Sequence, residues 1–208
     1  MSILDLDAFD RTPLSTDPCD FVVVENFVRP DLLEQVVADY PRIDAPGSFD
    51  ARDLVCGPTF SKLLAELQSP ELAAHFSRKF GVDLSAFDQQ TGIRRFADPT
   101  DGRIHNDSRN KFVTALIYFN ASWTDDGGRL RLLRGPNDIE DYVAEVEPIR
   151  GTLLAFRRSE RSYHGFKPCQ GERLSLQTYW VNPKRGKRGG PKNSWPVLSE
   201  IKRLFKRG

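Results

Sequence analysis

The stretch KFVTALIYFN, residues 111–120, is rich in β-branched and aromatic residues and carries no helical period. Read as a strand, it puts Thr114, Leu116 and Tyr118 on one side. Similar short runs lie on either side of it: TGIRRF (91–96), GGRLRLL (127–133), VAEVEPI (143–149), GTLLAF (151–156) and ERLSLQTYWV (172–181). Turn-forming segments separate them, ADPTDG (97–102), TDDGG (124–128), RGPND (134–138) and CQGE (169–172). No helix-length pattern intervenes, so the spacing argues for an antiparallel sandwich or barrel and against a βαβ fold. Towards the N-terminus, FVVVENFV (21–28) predicts a strand. RPDLLEQVVADYP (29–41) predicts a helix with Pro30 near its start and Leu33, Val36, Val37 and Tyr40 on one face. TFSKLLAELQ (59–68) and PELAAHFSRKFG (70–81) predict two more helices, the second with Leu72, Phe76 and Phe80 four residues apart and a stop at Gly81. The expected class is α+β: a jelly-roll body over about residues 90–182, buttressed on one sheet by N-terminal helices, within a domain spanning 1–182.

The 208 residues are 39% hydrophobic and 28% charged, an ordinary balance for one domain with a real core. No apolar run approaches the roughly 20 residues of a membrane span, and the start MSILDLDAFD is acidic, so a soluble, cytoplasmic protein is expected. Cys19, Cys56 and Cys169 are odd in number and far apart, which argues against a disulfide framework or a zinc knuckle. The net charge of +1 is unevenly spread: residues 183–208 hold nine Lys or Arg against Glu200, a balance of +8, which leaves −7 on residues 1–182. Such a basic tail either solvates a terminus or contacts an anionic surface, whether nucleic acid, lipid or an acidic partner. Within it, VLSEIKRLFKR (197–207) has the pattern of a short amphipathic helix.

Only three histidines are present, and one sits in RIHNDSRN (103–110). In an extended segment His105 and Asp107 project into one space while Asn106 faces away. A third donor must come from elsewhere; His75 lies among core residues of a predicted helix, which leaves His164 in RSYHGFKP (161–168). Two histidines and one carboxylate are the ligand set of non-haem Fe(II) oxygenases, with positions left open for substrate and dioxygen. The pattern alone is unspecific, and a polar turn at 105–108 is the plainer alternative. A second feature lies nine residues beyond His164, where Arg173, Ser175, Gln177 and Tyr179 share one strand face. No acid on that face pairs with the guanidinium, which inside a barrel is costly without an anionic partner. A bound dicarboxylate would supply one, with Ser175 as a further donor; pairing with a surface acid near Glu172 is the plainer alternative.

In order and with similar gaps, HND (105–107), VTALIYFNASW (113–123), GGRLRLL, VEPIRGTLLAF (146–156), SYHGFKP (162–168) and ERLSLQTYW (172–180) resemble the catalytic core of the Fe(II)- and 2-oxoglutarate-dependent dioxygenases. The similarity is strongest to their prolyl-hydroxylase-like branch, including the hypoxia-sensing type, and runs from His105 to Val181. The resemblance implies a double-stranded β-helix, the cupin-like jelly roll. It implies that His105, Asp107 and His164 ligate Fe(II), that Arg173 pairs with the distal carboxylate of 2-oxoglutarate, and that the Tyr118 hydroxyl contacts the same cosubstrate. O2 is the implied oxidant, and ascorbate a further cofactor the family admits. Relatives that halogenate lack the carboxylate, so Asp107 favours oxygen transfer. One departure stands out: Phe96 occupies a strand position where relatives often carry a tyrosine, and the sequence leaves open whether Arg94 or Arg95 faces cosubstrate or substrate.

The implied activity is hydroxylation of an aliphatic C–H coupled to conversion of 2-oxoglutarate to succinate. A peptidyl prolyl side chain is the slightly favoured substrate, against a small molecule such as a free amino acid or natural product, a lipid or a sugar. Two other classes fit parts of the pattern: a non-catalytic jelly roll that senses a metal or dicarboxylate, and a zinc hydrolase on the same fold.

Overall fold

A computed structural model describes residues 1–183 of the chain. The basic tail's remaining residues, 184–208, and the amphipathic helix expected there lie outside the described residues. In chain order the elements are α1 (Leu6–Arg11), β1 (Phe21–Val24), α2 (Pro30–Ala38), β2 (Phe49–Asp50), a 3-10 turn at Ala51–Asp53, α3 (Pro58–Leu67), α4 (Pro70–Phe80), β3 (Asp88–Ala97), β4 (Lys111–Tyr118), β5 (Leu130–Leu133), β6 (Tyr142–Val146), β7 (Leu153–Arg157), β8 (His164–Gly165) and β9 (Gly171–Val181). The predicted switch from helices to closely spaced strands is present, and every strand pairing is antiparallel. The strands form a six-stranded sheet, β1-β7-β4-β9-β3-β2, and a smaller one, β6-β5-β8. An isolated antiparallel bridge between His105 and His164 adds the segment before β4 to the smaller sheet's edge. These two facing sheets are the expected jelly roll, and no helix among the described residues is long and apolar enough to cross a membrane.

Alternation along the central strands divides the large sheet into two chemically different faces. Val113, Ala115 and Ile117 of β4, Leu153 and Ala155 of β7, and Leu176 and Trp180 of β9 join one core with the helices. The alternate residues Leu116, Tyr118, Leu154 and Phe156 point the other way, into a second cluster with Leu130 and Leu132 of β5.

Helix α4 shows how the sequence builds the helix layer. Ser69 caps its N-terminus by accepting from the Leu72 N–H at 3.1 Å, Pro70 starts the first turn, and Gly81 ends it at φ +62, a conformation that favours glycine. Its Leu72, Phe76 and Phe80 are all buried. The Phe76 ring lies 4.5 Å from Phe9 of α1 and 5.0 Å from Trp180 of β9, joining two helices to the sheet. Helix α1, which sequence periodicity did not reveal, is tied down by polar contacts: Asp10 meets His75 of α4 at 2.9 Å, and Lys79 donates to the carbonyl of Thr12 at 2.6 Å. His75 is therefore structural, as its helical setting implied.

Phe76→Ala is expected to lower unfolding free energy by about 3–5 kcal/mol, the usual cost of an aromatic-sized cavity that cannot collapse. Equilibrium urea denaturation checks this; a loss below about 1 kcal/mol would mean that Phe76 does not bind the helix layer to the sheet.

Candidate active site

The smaller sheet brings the two histidines of the predicted ligand set together. His105 donates its backbone N–H to the His164 carbonyl at 3.0 Å, and His164 returns the bond at 2.9 Å. Directly opposed residues on antiparallel segments project their side chains to the same side, and the two imidazoles lie with centroids 4.2 Å apart at 59°. Asp107 is two residues further along its segment, and one ligand atom from each of His105, Asp107 and His164 lies within 4.8 Å of the others. Among the described residues this is the one group of His, Cys or acid side chains arranged to hold a metal ion. His105 is exposed at the mouth, whereas Asp107 and His164 are buried.

Each imidazole is aimed by a backbone acceptor. His105 Nδ1 lies 2.9 Å from the Arg103 carbonyl and His164 Nδ1 lies 3.0 Å from the Ser162 carbonyl. A carbonyl only accepts, so Nδ1 carries the proton and the Nε2 lone pair is left for a metal. Burial, reinforced by the neighbouring His105, pushes His164 down to about 4, so it stays neutral at physiological pH. Phe156 packs 4.8 Å from the His164 ring and fixes its plane.

Asp107 is charged despite its setting. Burial alone would raise its carboxyl, but the Lys111 ammonium, His164 and hydrogen bonds from Lys111 and Thr114 outweigh that and hold it below the usual carboxylate range. Lys111 Nζ donates to Oδ1 at 2.7 Å and Thr114 Oγ1 to Oδ2 at 2.6 Å. The Lys111 ammonium also lies 4.1 Å from the centre of the Tyr179 ring, a cation–π contact that fixes it. The strand period points Thr114 to the Tyr118 side but does not show that it meets Asp107, and Lys111 lies before an irregularity between Lys111 and Val113 that the period does not cross.

A cavity of about 110 Å³ runs from the two histidines to Arg173 and Ser175, with Leu130 and Phe166 among its apolar walls. Arg173 is buried and spends its Nε proton on the Gly128 carbonyl at 2.8 Å. Its guanidinium lies 5.0 Å from the Tyr118 ring centre and 4.5 Å from that of Phe166. Arg173 Nη2 and the Tyr118 hydroxyl are both buried and both lack a hydrogen-bond partner. Glu172, the surface acid considered for Arg173, is held by Arg95 at 2.6 Å. An orphaned guanidinium nitrogen at one end of the cavity, backed by Tyr118, and three convergent ligands at the other fit a small anion that also reaches a metal.

The open question at Phe96 resolves by register. Arg94 pairs across the sheet with Ser175 and lines the cavity together with Phe96, while Arg95 turns outward to Glu172. The Arg94 charge is met by Asp101 at 2.7 Å. Gly102, at φ +84, lets the loop after β3 press against Phe166: a Cβ there would overlap the Phe166 carbonyl oxygen, which holds this wall closed.

Comparison with known proteins agrees with this geometry. Residues 88–182 match the family model of the 2OG-Fe(II) oxygenase superfamily. No curated protein sequence matches the chain significantly. Among solved structures, a prolyl-4-hydroxylase from Pseudomonas putida superposes with a TM-score of 0.60 at 24% identity, covering 88% of this chain and 93% of that one. A Trichoplax adhaerens prolyl hydroxylase, solved with a hypoxia inducible factor peptide fragment, gives 0.52 at 19% identity over 86% and 88%. Prolyl 4-hydroxylases from Phytophthora capsici give 0.51 at 18% identity over 96% and 68%. Residues 88–182, which hold the jelly-roll core and the His105, Asp107 and His164 cluster, are thus similar to the 2OG-Fe(II) oxygenase superfamily, whose cofactors are Fe(II), 2-oxoglutarate and O2, and the chain shares its fold with prolyl hydroxylases.

Proposed function

We propose that the protein hydroxylates an aliphatic C–H of its substrate, with His105, Asp107 and His164 as the iron ligands and Arg173, Tyr118 and Ser175 as the 2-oxoglutarate clamp. The observation that carries this reading is the partnerless buried Nη2 of Arg173, which lines the far end of the cavity that begins at His105 and His164, with the fully buried Tyr118 hydroxyl behind it next to the guanidinium. Fe(II) and 2-oxoglutarate, when bound, supply an O2-dependent oxidation that releases succinate and CO2, one oxygen atom going to succinate and the other to the substrate as hydroxyl.

The chain's own groups account for the rest. His105 and His164 offer Nε2 lone pairs because their Nδ1 protons are committed to backbone carbonyls, and Asp107 is held ionised. A metal held by these three side chains alone would keep capacity for further ligands. Arg173 offers a fixed charge to a carboxylate, and the apolar walls formed by Leu130 and Phe166 exclude water from it. Ser175 is buried on the same wall and adds a hydroxyl. A peptidyl prolyl side chain is the favoured substrate, supported by the shared fold with prolyl hydroxylases, one of them solved with a peptide. The +8 balance of residues 183–208 favours recruitment to an anionic surface.

His105→Ala or Asp107→Ala is expected to cut Fe(II)-dependent succinate formation by about 100-fold or more, since losing a ligand costs at least what losing its support does. Peptidyl-proline and small-molecule candidates are screened for stimulated succinate release and a mass gain of roughly 16 Da, one oxygen atom in this reaction. Turnover with zinc and no oxygen uptake would overturn the reading.

Tyr118→Phe separates the clamp from the fold. Because the hydroxyl has no partner without cosubstrate, its removal should change apo stability by less than about 0.5 kcal/mol, while the KM for 2-oxoglutarate rises roughly 10-fold, the worth of a hydrogen bond to a charged group. An unchanged KM would place the cosubstrate elsewhere.

A further inference from the structure

We infer that Asn106, the residue between two of the metal ligands, is a positioning residue that sets His164 through Ser162. The inference rests on the proposed ligand set and concerns what holds it in place. Asn106 points away from the ligand space, as an alternating segment requires, yet it does not reach solvent unpartnered. Its Nδ2 donates to the Ser159 carbonyl at 2.7 Å, and its Oδ1 accepts from the Ser162 hydroxyl at 2.7 Å. Ser162 is fully buried, and its hydroxyl also accepts the Ser159 N–H at 3.0 Å. The carbonyl of the same Ser162 is the acceptor that orients His164 Nδ1. The Ser162 hydroxyl lies 2.7 Å from Asn106 Oδ1 and 2.9 Å from the Ser159 carbonyl, so Asn106 helps to fix the residue whose own carbonyl aims the imidazole contributed by the other segment.

Strand β8 is two residues long, and its link to His105 is an isolated bridge with one reciprocal pair of backbone bonds. On the Gly102 side the ladder continues through the Phe166 N–H, which donates to the Gly102 carbonyl at 2.9 Å. On the Asp107 side no backbone pair follows, and side chains take over: Arg158 Nε donates to the Asp107 carbonyl at 3.2 Å, and Asn106 ties the segment to Ser159 and Ser162. The Asn106 attachment needs a side chain that donates and accepts at once. Asn does both. Ala does neither, and Asp keeps the acceptor but sets a carboxylate against the Ser159 carbonyl.

The test uses the full-length apo protein titrated with Mn(II), followed by electron paramagnetic resonance, so that it does not depend on turnover. Asn106→Ala, Asn106→Asp and Ser162→Ala should each weaken Mn(II) binding roughly 10-fold, the usual effect of losing a group that supports a metal ligand. The Asn106→Ala/Ser162→Ala double variant should be no weaker than either single one, because both cut the same attachment. Phe76→Leu, which perturbs the distant helix layer, serves as a stability control and should leave Mn(II) affinity unchanged at a temperature well below every variant's melting midpoint. Unaltered affinity in the Asn106 and Ser162 variants, or strictly additive losses, would overturn the inference. Mn(II) binding that persists in His105→Ala would instead sink the ligand assignment itself, so the two failures are distinct.

Discussion

Side-chain alternation in the six-stranded sheet is the constraint from which the rest of the molecule follows. A strand offers successive residues to opposite faces, so chemistry can occupy one face only if something else stabilises the other. Here β4, β7 and β9 give Val113, Ala115, Ile117, Leu153, Ala155, Leu176 and Trp180 to the helices. That layer frees the opposite face to carry Arg173, Ser175 and Gln177, groups that no apolar core would accept. Stability and reactivity are thus separated by the thickness of one sheet.

On the reactive face the polar groups are not uniformly satisfied, and the differences carry information. Asp107 has a donor on each oxygen, both histidines have their Nδ1 protons placed, and Arg94 has Asp101. Among the described residues, Arg173 and Tyr118 are the ones that keep a buried side-chain polar atom without a hydrogen-bond partner. A fold that satisfies every neighbour and leaves two adjacent donors idle is prepared for an acceptor from outside.

Much of this was legible in the sequence because it follows short periods. The four-residue spacing of Leu72, Phe76 and Phe80 found helix α4, and the two-residue spacings of His105 with Asp107 and of Arg173 with Ser175 found both ends of the cavity. What escaped has no period. Strands β2 and β8 are two residues each, and α1 is a six-residue helix held by contacts from α4 rather than by propensity. Lys111 lies beyond a strand irregularity, and the choice between Arg94 and Arg95 depends on a cross-strand register that no local pattern encodes. Asn106 looked like a spacer because its partners, Ser159 and Ser162, lie more than fifty residues away in the chain.

The pairing of Lys111 with Asp107 has a consequence for how the cavity is filled. Lys111 offsets Asp107 and Asp101 offsets Arg94, which leaves Arg173 as the uncompensated charge along this wall. A divalent cation alone would raise that excess by two, and a doubly negative anion alone would reverse its sign. Together they leave it as it was. In a pocket shielded from water such imbalances are expensive, so the two guests must favour each other's arrival, and the affinity measured for either one reports on the presence of the other.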